Sequence, residues 1–491
     1  MTVDPDDLRR IRTAIAAIPG DLSNDAVGAH VAELDDIYAP ETHAAALDPH
    51  APIVLGSRGS GKSFWASVLG RDQTREAVAS AYPRLALHKT RAQFGYTGLG
   101  GLDGIDADQI DAAVSADAGM EQAKVFWWAS ILSAGARARG QAVTKPHQFL
   151  AQAADWHQRE NLLNAHEQQL REQGRVLLII YDALDTVART WPRRRLLTEA
   201  LLEVIWALRA YRTLRPKLFI RPDQLDDDAL RFVELPKLRT GAVRLEWSST
   251  DLYGLLFARI ALSPEAESAC AFERAIGHLG LHSADRQSIL TRRWSLASET
   301  ADQQKTMALL AGRYMGKGTY GYKKGNTYNW PMTHLADAHQ EVTPRAFLGM
   351  MTAAATYGAP PEDRVITAEG IRHGLRAASR TRVDQLHQEF PWIKGVLAPL
   401  AGLLLPQPEQ EVYGVWEQTG TLEALKADAQ TSGYLPPFAE ADTASTRDLF
   451  IALERIGVMF RRRDDRLDMP DLFRVAARLL KKGGVAPRGR S

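Results

Sequence analysis

The chain contains one complete match to the pattern GxxxxGK[ST], in the segment Ile53-Val54-Leu55-Gly56-Ser57-Arg58-Gly59-Ser60-Gly61-Lys62-Ser63. The apolar run before the glycines predicts the end of a buried parallel strand, and the segment from Ser63 onward predicts a helix. Glycines let successive backbone N–H groups point at an anion, and the helix N-terminus adds partial positive charge. We therefore expect residues 56–63 to bind a nucleoside triphosphate, with Lys62 on the phosphates and the Ser63 hydroxyl on Mg²⁺.

A second apolar run ends in a carboxylate. It reads Arg175-Val176-Leu177-Leu178-Ile179-Ile180-Tyr181-Asp182, which is typical of a buried parallel strand. Such a strand places Asp182 at the carboxyl edge of the sheet, where it would hold Mg²⁺ opposite Ser63. Asp185 follows three residues later and is predicted to orient or deprotonate an attacking water. The alternative is that Asp185 only caps the next helix.

Further strands are predicted at Arg84–His88, Lys217–Asp223 and Ala242–Trp247, with a helix at Leu196–Leu208. This alternation predicts an α/β fold, a P-loop parallel sheet covered by helices over residues 46–250. Arg221 ends one of these strands, where P-loop ATPases commonly place a residue that senses the γ-phosphate. An ion pair of Arg221 with Asp223 or Asp227 is an equally good interpretation.

Length and composition limit the class of protein. The 491 residues predict two to four domains, and the net charge of +1 means that any basic surface is local. A single cysteine, Cys270, excludes an internal disulfide. The acidic start of the chain lacks the layout of a signal peptide, and the longest apolar runs are shorter than a bilayer span. We therefore predict a cytoplasmic protein that does not interact with membranes.

The remaining segments read as helical. They are an N-terminal segment over residues 1–45, helices over 119–172, a helical lid over 251–380, and a connector with a winged-helix-like domain over 381–491. The aromatic residues of the 119–172 helices predict core packing, and His147, His157 and His166 are expected to be solvated rather than bound to a metal.

Two basic segments are candidates for nucleic acid. In the first, Tyr314–Trp330, glycine, lysine and aromatic residues interleave; a nucleic-acid site, a disordered surface loop and a loop that closes over a protein all stay open. The second is the wing tip, Arg461-Arg462-Arg463, which predicts either contact with DNA phosphates or a protein-interaction wing.

The motifs in this order resemble those of the STAND-type and AAA-like P-loop ATPases. The likeness rests on GSRGSGKS, a strand ending Tyr-Asp-Ala-Leu-Asp, a strand ending Phe-Ile-Arg-Pro-Asp and the Thr-Pro-Arg helix start at 343–345. It implies the additional-strand division, in which the Walker B strand is not adjacent to the P-loop strand. It also implies ATP and Mg²⁺ as cofactors, and it is closest to bacterial stand-alone ATPases, many of them associated with anti-phage defence or DNA transactions.

Residue by residue, the resemblance implies Lys62 and Ser63 on phosphate and magnesium, Asp182 as Walker B, Asp185 as second acid, Arg221 as sensor and Arg345 as lid arginine. ATP is preferred to GTP because no Asn-Lys-x-Asp motif follows. An aspartate in the second acidic position favours slow, switch-like turnover.

Two functions are consistent with these features. One is an ATP-hydrolysing switch that controls DNA or a protein partner; the other is a nucleotide-stabilised scaffold with negligible turnover. AAA relatives form rings, so a homo-oligomer with Arg193, Arg194 or Arg195 acting in trans is conceivable.

Overall fold

The computed structural model of the protein describes residues 3–19, 32–98, 105–141, 145–226, 230–432 and 434–487. The chain divides into two compact units. We call Ser23–Glu246 the P-loop unit, and Met1–Leu22 together with Trp247–Ser491 the helical unit. Within the described residues, no helix is both long and apolar enough to cross a bilayer.

The P-loop unit is built on a five-stranded parallel sheet. Its strands are β1 (Ile53–Leu55), β2 (Thr90–Tyr96), β3 (Val176–Tyr181), β4 (Leu214–Ile220) and β5 (Val243–Arg244). Their order is β2-β3-β4-β1-β5, so β4 lies between the P-loop strand and the strand that ends at Asp182. This order confirms the expected additional strand.

Burial explains why β3 and β4 occupy the centre. Successive side chains of a strand point to opposite faces of the sheet, and all of Leu177–Tyr181 are buried. Both faces of the sheet must therefore be covered, as in a doubly covered α/β fold. The helices of this unit are Ala44–Leu47, Lys62–Gly70, Asp72–Ala81, Ala107–Ala113, Met120–Ala138, Leu150–Ala154, Trp156–Glu172, Trp191–Ala207, Pro222–Leu225 and Leu235–Thr240.

One strand prediction was wrong. Residues 83–85 and 87–89 form 3₁₀ turns instead of the strand expected at Arg84–His88, and the strand begins at Thr90. β2 is an edge strand and carries polar residues, so it lacks the unbroken apolar run that marks a buried strand. Arg137 compensates for this polarity, because its guanidinium donates to Gln93 Oε1 at 3.1 Å and to the Phe94 carbonyl at 2.7 Å.

The helical unit includes the N-terminal helix Pro5–Ala17, which packs on Ala266–Gly277 and Pro344–Thr356. Arg12 fastens this helix by donating to the carbonyls of Val365 and Tyr357 at 3.1 and 2.8 Å. Its other helices are Ser249–Ala261, Arg286–Leu290, Ser295–Ser298, Thr300–Ala311, Asn329–Leu335, Ala368–Glu389, Ile393–Leu397, Glu409–Gln418, Thr421–Ser432, Thr446–Arg455 and Asp471–Arg474.

The C-terminal part has the expected winged-helix-like arrangement. Strands β7 (Phe460–Arg461) and β8 (Leu467–Asp468) form an antiparallel wing, and Gln407 bridges to Leu467 from just beyond strand β6 (Leu404–Leu405). The helix that follows the wing is short, Asp471–Arg474. The helix ends at Arg474, Arg478 has a positive φ of 61°, and the chain then enters β9 (Leu480–Lys481), which pairs with β6.

Candidate nucleotide-binding site

The P-loop connects β1 to the helix Lys62–Gly70 in a conformation that its glycines permit. Gly59 and Gly61 have φ values of +84° and +102°, in the left-handed region that disfavours a side chain. A Cβ on Gly56 would collide with the Ser60 hydroxyl. The Lys62 ammonium lies 2.7 Å from the Gly56 carbonyl and 3.1 Å from the Ser57 carbonyl, so it stands inside the loop.

A buried histidine that the sequence did not single out fastens the P-loop helix. Trp65 Nε1 donates to His43 Nδ1 at 3.0 Å, and His43 Nε2 lies 3.0 Å from the Glu246 carbonyl. Burial lowers the pKa of His43 to about 3, so the imidazole is neutral. Because Nδ1 accepts a hydrogen bond, the proton is on Nε2, and the ring connects the helix to the segment after β5.

Asp182 lies next to the P-loop although it is 120 positions from Lys62 in the chain. Its carboxylate lies beside the Ser63 hydroxyl, and its backbone N–H donates to the Tyr96 carbonyl at 2.9 Å. Burial raises the pKa of Asp182, the neighbouring Ser63 hydroxyl and the Lys62 charge oppose that rise, and the nearby Asp185 adds to it. The structure thus brings Lys62, Ser63, Asp182 and Asp185 together.

The backbone after Asp182 turns sharply. Ala183 has φ +63°, which is uncommon for a residue with a side chain, and residues 184–186 form a 3₁₀ turn that contains Asp185. The next helix begins at Trp191 with Thr190 as its N-cap. The alternative interpretation of Asp185 as the cap of that helix is therefore wrong.

Arg194 also belongs to this cluster. It lies on the first turns of the helix Trp191–Ala207, its guanidinium is 5.6 Å from the Trp191 ring, and it donates to the Ala188 carbonyl at 3.1 Å. Burial lowers the pKa of Arg194, whereas the charge of Asp185 raises it. Among the described residues its Nε has no hydrogen-bond partner.

Two of the arginines considered for action in trans are engaged within this chain. Arg194 donates to the Ala188 carbonyl and lies near the charge of Asp185. Arg193 donates to Asp111 at 2.7 Å and to the carbonyls of Val114 and Ser115 at 2.7 Å each.

Arg221 forms the ion pair that was one of its two interpretations. Its Nε and Nη2 each lie 3.0 Å from an oxygen of Asp223, a bidentate geometry, and its side chain is largely buried. Asp227, the other proposed partner, lies outside the described residues. Arg345 belongs to the helical unit, on the first turn of Pro344–Thr356, whose N-cap Thr343 accepts from the Ala346 N–H at 3.3 Å.

The predicted DNA-contacting arginines of the wing are mostly paired with carboxylates. Arg461 lies 2.6 Å from Glu409, and Arg462 lies 3.3 Å from Asp468 and 3.5 Å from Asp464. Arg463 is exposed and makes no ion pair with any residue that the structure describes. The wing thus offers less uncompensated charge than its sequence suggests.

The residues present fit ATP and Mg²⁺. The loop has the backbone form that a phosphate requires, with an ammonium inside it, and the Ser63 hydroxyl beside the Asp182 carboxylate is an oxygen pair of the kind that Mg²⁺ prefers. Over the described part of the chain, no group of three or more His, Cys, Asp or Glu side chains is arranged to hold a metal ion.

No family model and no curated protein matches this chain. Among solved structures, it is similar to the ORC2 protein of Aeropyrum pernix in ADPNP–ADP complexes, with 13% identity, 90% of this chain and 93% of that chain covered, and a TM-score of 0.40. It is also similar to Cdc6p from Pyrobaculum aerophilum, with 12% identity, 92% and 93% covered, and a TM-score of 0.29. The P-loop α/β fold is established by the strand order and the loop geometry, not by these distant similarities.

Proposed function

We propose that this chain is a Mg²⁺-dependent, slowly hydrolysing ATPase that acts as a molecular switch. The observation that carries the proposal is the position of the Asp182 carboxylate beside the Ser63 hydroxyl, with Lys62 and Asp185 near it. The catalytic edge of a P-loop ATPase requires this arrangement, which here joins residues about 120 positions apart in the chain.

Each residue has a role that its position supports. Lys62 neutralises phosphate charge, because its ammonium already stands inside the loop between two carbonyls. Ser63 and Asp182 would hold Mg²⁺, which when bound neutralises charge on the β- and γ-phosphates. Asp185, only half-buried, can accept a proton from water. The Arg221–Asp223 pair at the end of β4 supports a sensing role in which Arg221 exchanges a carboxylate for the γ-phosphate.

The switch requires a partner whose state follows the nucleotide. We propose Arg345 as the lid arginine of the helical unit, and DNA or a protein as the partner of the wing through Arg461, Arg462 and Arg463. The aspartate in the second acidic position supports slow turnover, as in STAND-type ATPases, and a role in bacterial anti-phage defence belongs to the same proposal. Assembly into a homo-oligomer is part of it too.

The test is steady-state ATP hydrolysis by the purified chain beside Lys62→Ala and Asp185→Asn. Lys62→Ala should lose ATP affinity, whereas Asp185→Asn should keep affinity and lose turnover by about 10² or more, the usual contribution of a positioned base. Asp108→Asn, on an exposed helical position of the same unit, is the matched control and should retain both.

Two results would count against the proposal in different ways. Turnover that persists in Asp185→Asn would remove Asp185 from the mechanism. Tight ATP binding without turnover, with or without duplex DNA, would favour the alternative function, a nucleotide-stabilised scaffold that positions a separate effector.

A further inference from the structure

The helical unit presents two exposed tyrosine rings on one ordered loop. We call residues 312–328 the tyrosine loop. Its two most exposed aromatic residues are Tyr320 and Tyr322, whose relative accessibilities are 68% and 54%. Tyrosine is enriched at recognition sites, because its ring is apolar and its hydroxyl can form hydrogen bonds.

The base of the tyrosine loop is tied to the core. The Met315 N–H donates to the Gly325 carbonyl at 2.9 Å, and the Thr327 N–H donates to the Arg313 carbonyl at 3.2 Å. Tyr328 stacks on Tyr253 with ring centroids 4.1 Å apart and donates to Gln303 Oε1 at 2.7 Å. The two ends of the loop are therefore held at a fixed separation.

The crown of the loop is also fixed. Residues 321–324 form a 3₁₀ turn, and the backbones of Gly316 and Gly321 touch. A Cβ on Gly321 would lie 2.5 Å from the Gly316 carbonyl oxygen, so no side chain fits between the two strands of the loop. The tyrosines are thus presented by a preorganised turn, which lowers the entropy that binding costs.

The charge of the tyrosine loop has one sign. Its seventeen residues include Arg313, Lys317, Lys323 and Lys324 and no acidic residue, in a chain whose net charge is only +1. Lys317 and Lys324 are exposed and have no ion pair within the described residues, and Lys323 Nζ lies 4.7 Å from the centroid of the Tyr320 ring. By contrast, Arg461, Arg462 and Arg466 of the wing each have a carboxylate partner.

We propose that the tyrosine loop is a binding site for single-stranded nucleic acid. Tyr320 and Tyr322 stack on bases, and Lys317, Lys323 and Lys324 contact the phosphates between them. A single strand is required because only unpaired bases can leave their own stack to cover a tyrosine ring. An acidic protein would satisfy the lysines, but it would leave two exposed rings without flat partners.

The experiment measures the anisotropy of a fluorescent oligothymidylate against the full-length chain, beside a duplex of the same length. Replacing Tyr320 and Tyr322 by alanine should weaken binding by roughly fivefold to a hundredfold per ring, the range measured for base stacking. Replacing both by phenylalanine keeps the ring faces and should leave affinity within about twofold of wild type. Tyr357→Ala, another exposed tyrosine of this unit, is the matched control.

Salt dependence isolates the lysines. The triple variant Lys317→Gln, Lys323→Gln, Lys324→Gln should reduce the slope of log K against log salt by about 2, since each phosphate contact on a single strand contributes about 0.7. A control triple at Lys305, Lys394 and Lys426, which pair with carboxylates, should leave the slope unchanged.

Three outcomes would overturn the proposal. They are duplex binding as tight as single-strand binding, affinity that is unchanged in the double alanine variant, and binding that is lost on neutralising the wing but not the loop. The assay needs no ATP hydrolysis, so an inactive ATPase does not remove the site, and a loop without affinity does not remove the ATPase.

Discussion

The buried side chain of Lys217 lies at the centre of the sheet, and its charge state can be tested. It lies on β4, its side chain is fully buried, and its Nζ donates to the carbonyls of Ala46 and Asp48 at 2.8 and 2.6 Å. A neutral amine has two N–H bonds, and both find an acceptor here. Burial lowers the pKa of Lys217 from 10.5 to about 7, with the charge of Asp48 opposing that change.

The sign of the pH dependence follows from these values. The native state binds the lysine proton only below about pH 7, whereas the unfolded chain binds it up to about pH 10.5. Between those limits the unfolded state holds more protons, so the free energy of unfolding rises with pH. With a fully neutral native lysine, the free energy of unfolding would rise by about 1.4 kcal/mol for each pH unit. Because the native lysine is half-protonated at pH 7, about 0.4 kcal/mol is subtracted from the rise over two units, which leaves about 2 kcal/mol between pH 7 and 9.

The perturbation is Lys217→Met, which keeps the length of the side chain and removes the titration. Averaged over pH, the effect of Lys217→Met on the free energy of unfolding has two opposing contributions. Two carbonyls lose their hydrogen-bond donor, which destabilises the fold, and a buried amine is removed, which stabilises it. The difference between wild type and variant is the useful quantity, and it should increase by about 2 kcal/mol in favour of wild type from pH 7 to 9.

The assay is urea denaturation of wild type and Lys217→Met at several pH values. The free energies of unfolding are compared for the transition whose midpoint the substitution changes. Lys89→Met, at an exposed position just before β2, is the control and should show a difference that does not change with pH. If the Lys217→Met difference is equally flat, Lys217 is charged in the native protein and the argument from its burial is refuted.

Two further predictions concern the acidic site. Arg194→Gln should retain ATP affinity and lower turnover by roughly tenfold to a hundredfold, which is part of the rate enhancement that a positioned base contributes. Arg193→Gln should retain turnover and lower the melting temperature, because the Arg193 side chain binds Asp111 and two backbone carbonyls. Ala183→Gly should leave thermal stability unchanged or raise it by up to about 1 kcal/mol because it relieves the left-handed backbone, and Ala183→Val should lower it by about 1 kcal/mol or more. A stable Ala183→Val protein would contradict the strain assigned to this position.

The central elements were predictable because they are local. The P-loop, β3 and the start of the helix at Pro344 are each specified by consecutive residues: glycines with positive φ, an unbroken apolar run, and a Thr-Pro helix start. The position of Asp182 followed from the rule that parallel strands end at the same edge. The additional strand came from the resemblance, since nothing local sets the order of strands.

The misses depend on residues far apart in sequence. His166 was expected to be solvated, but it is buried against Gly135, where an added Cβ would lie 2.6 Å from the ring, and burial lowers the pKa of His166 to about 4. Glu409 neutralises Arg461 across more than fifty residues. No window of sequence holds both members of such a pair.

The same distinction explains the segment between the P-loop and Asp182, whose role its sequence did not reveal. Its helix Met120–Ala138 carries Trp127, whose ring meets Tyr96 and Tyr181 edge to face at 6.2 and 5.8 Å and whose Nε1 donates to the Leu197 carbonyl at 2.8 Å. Tyr181 directly precedes Asp182, and the Tyr96 carbonyl accepts a hydrogen bond from the Asp182 N–H. One buried indole therefore contacts both strand ends that position the acid and the helix that carries Arg194. The helix Met120–Ala138 thus supports the strand ends that position Asp182, which is why its aromatic residues face the core rather than a ligand.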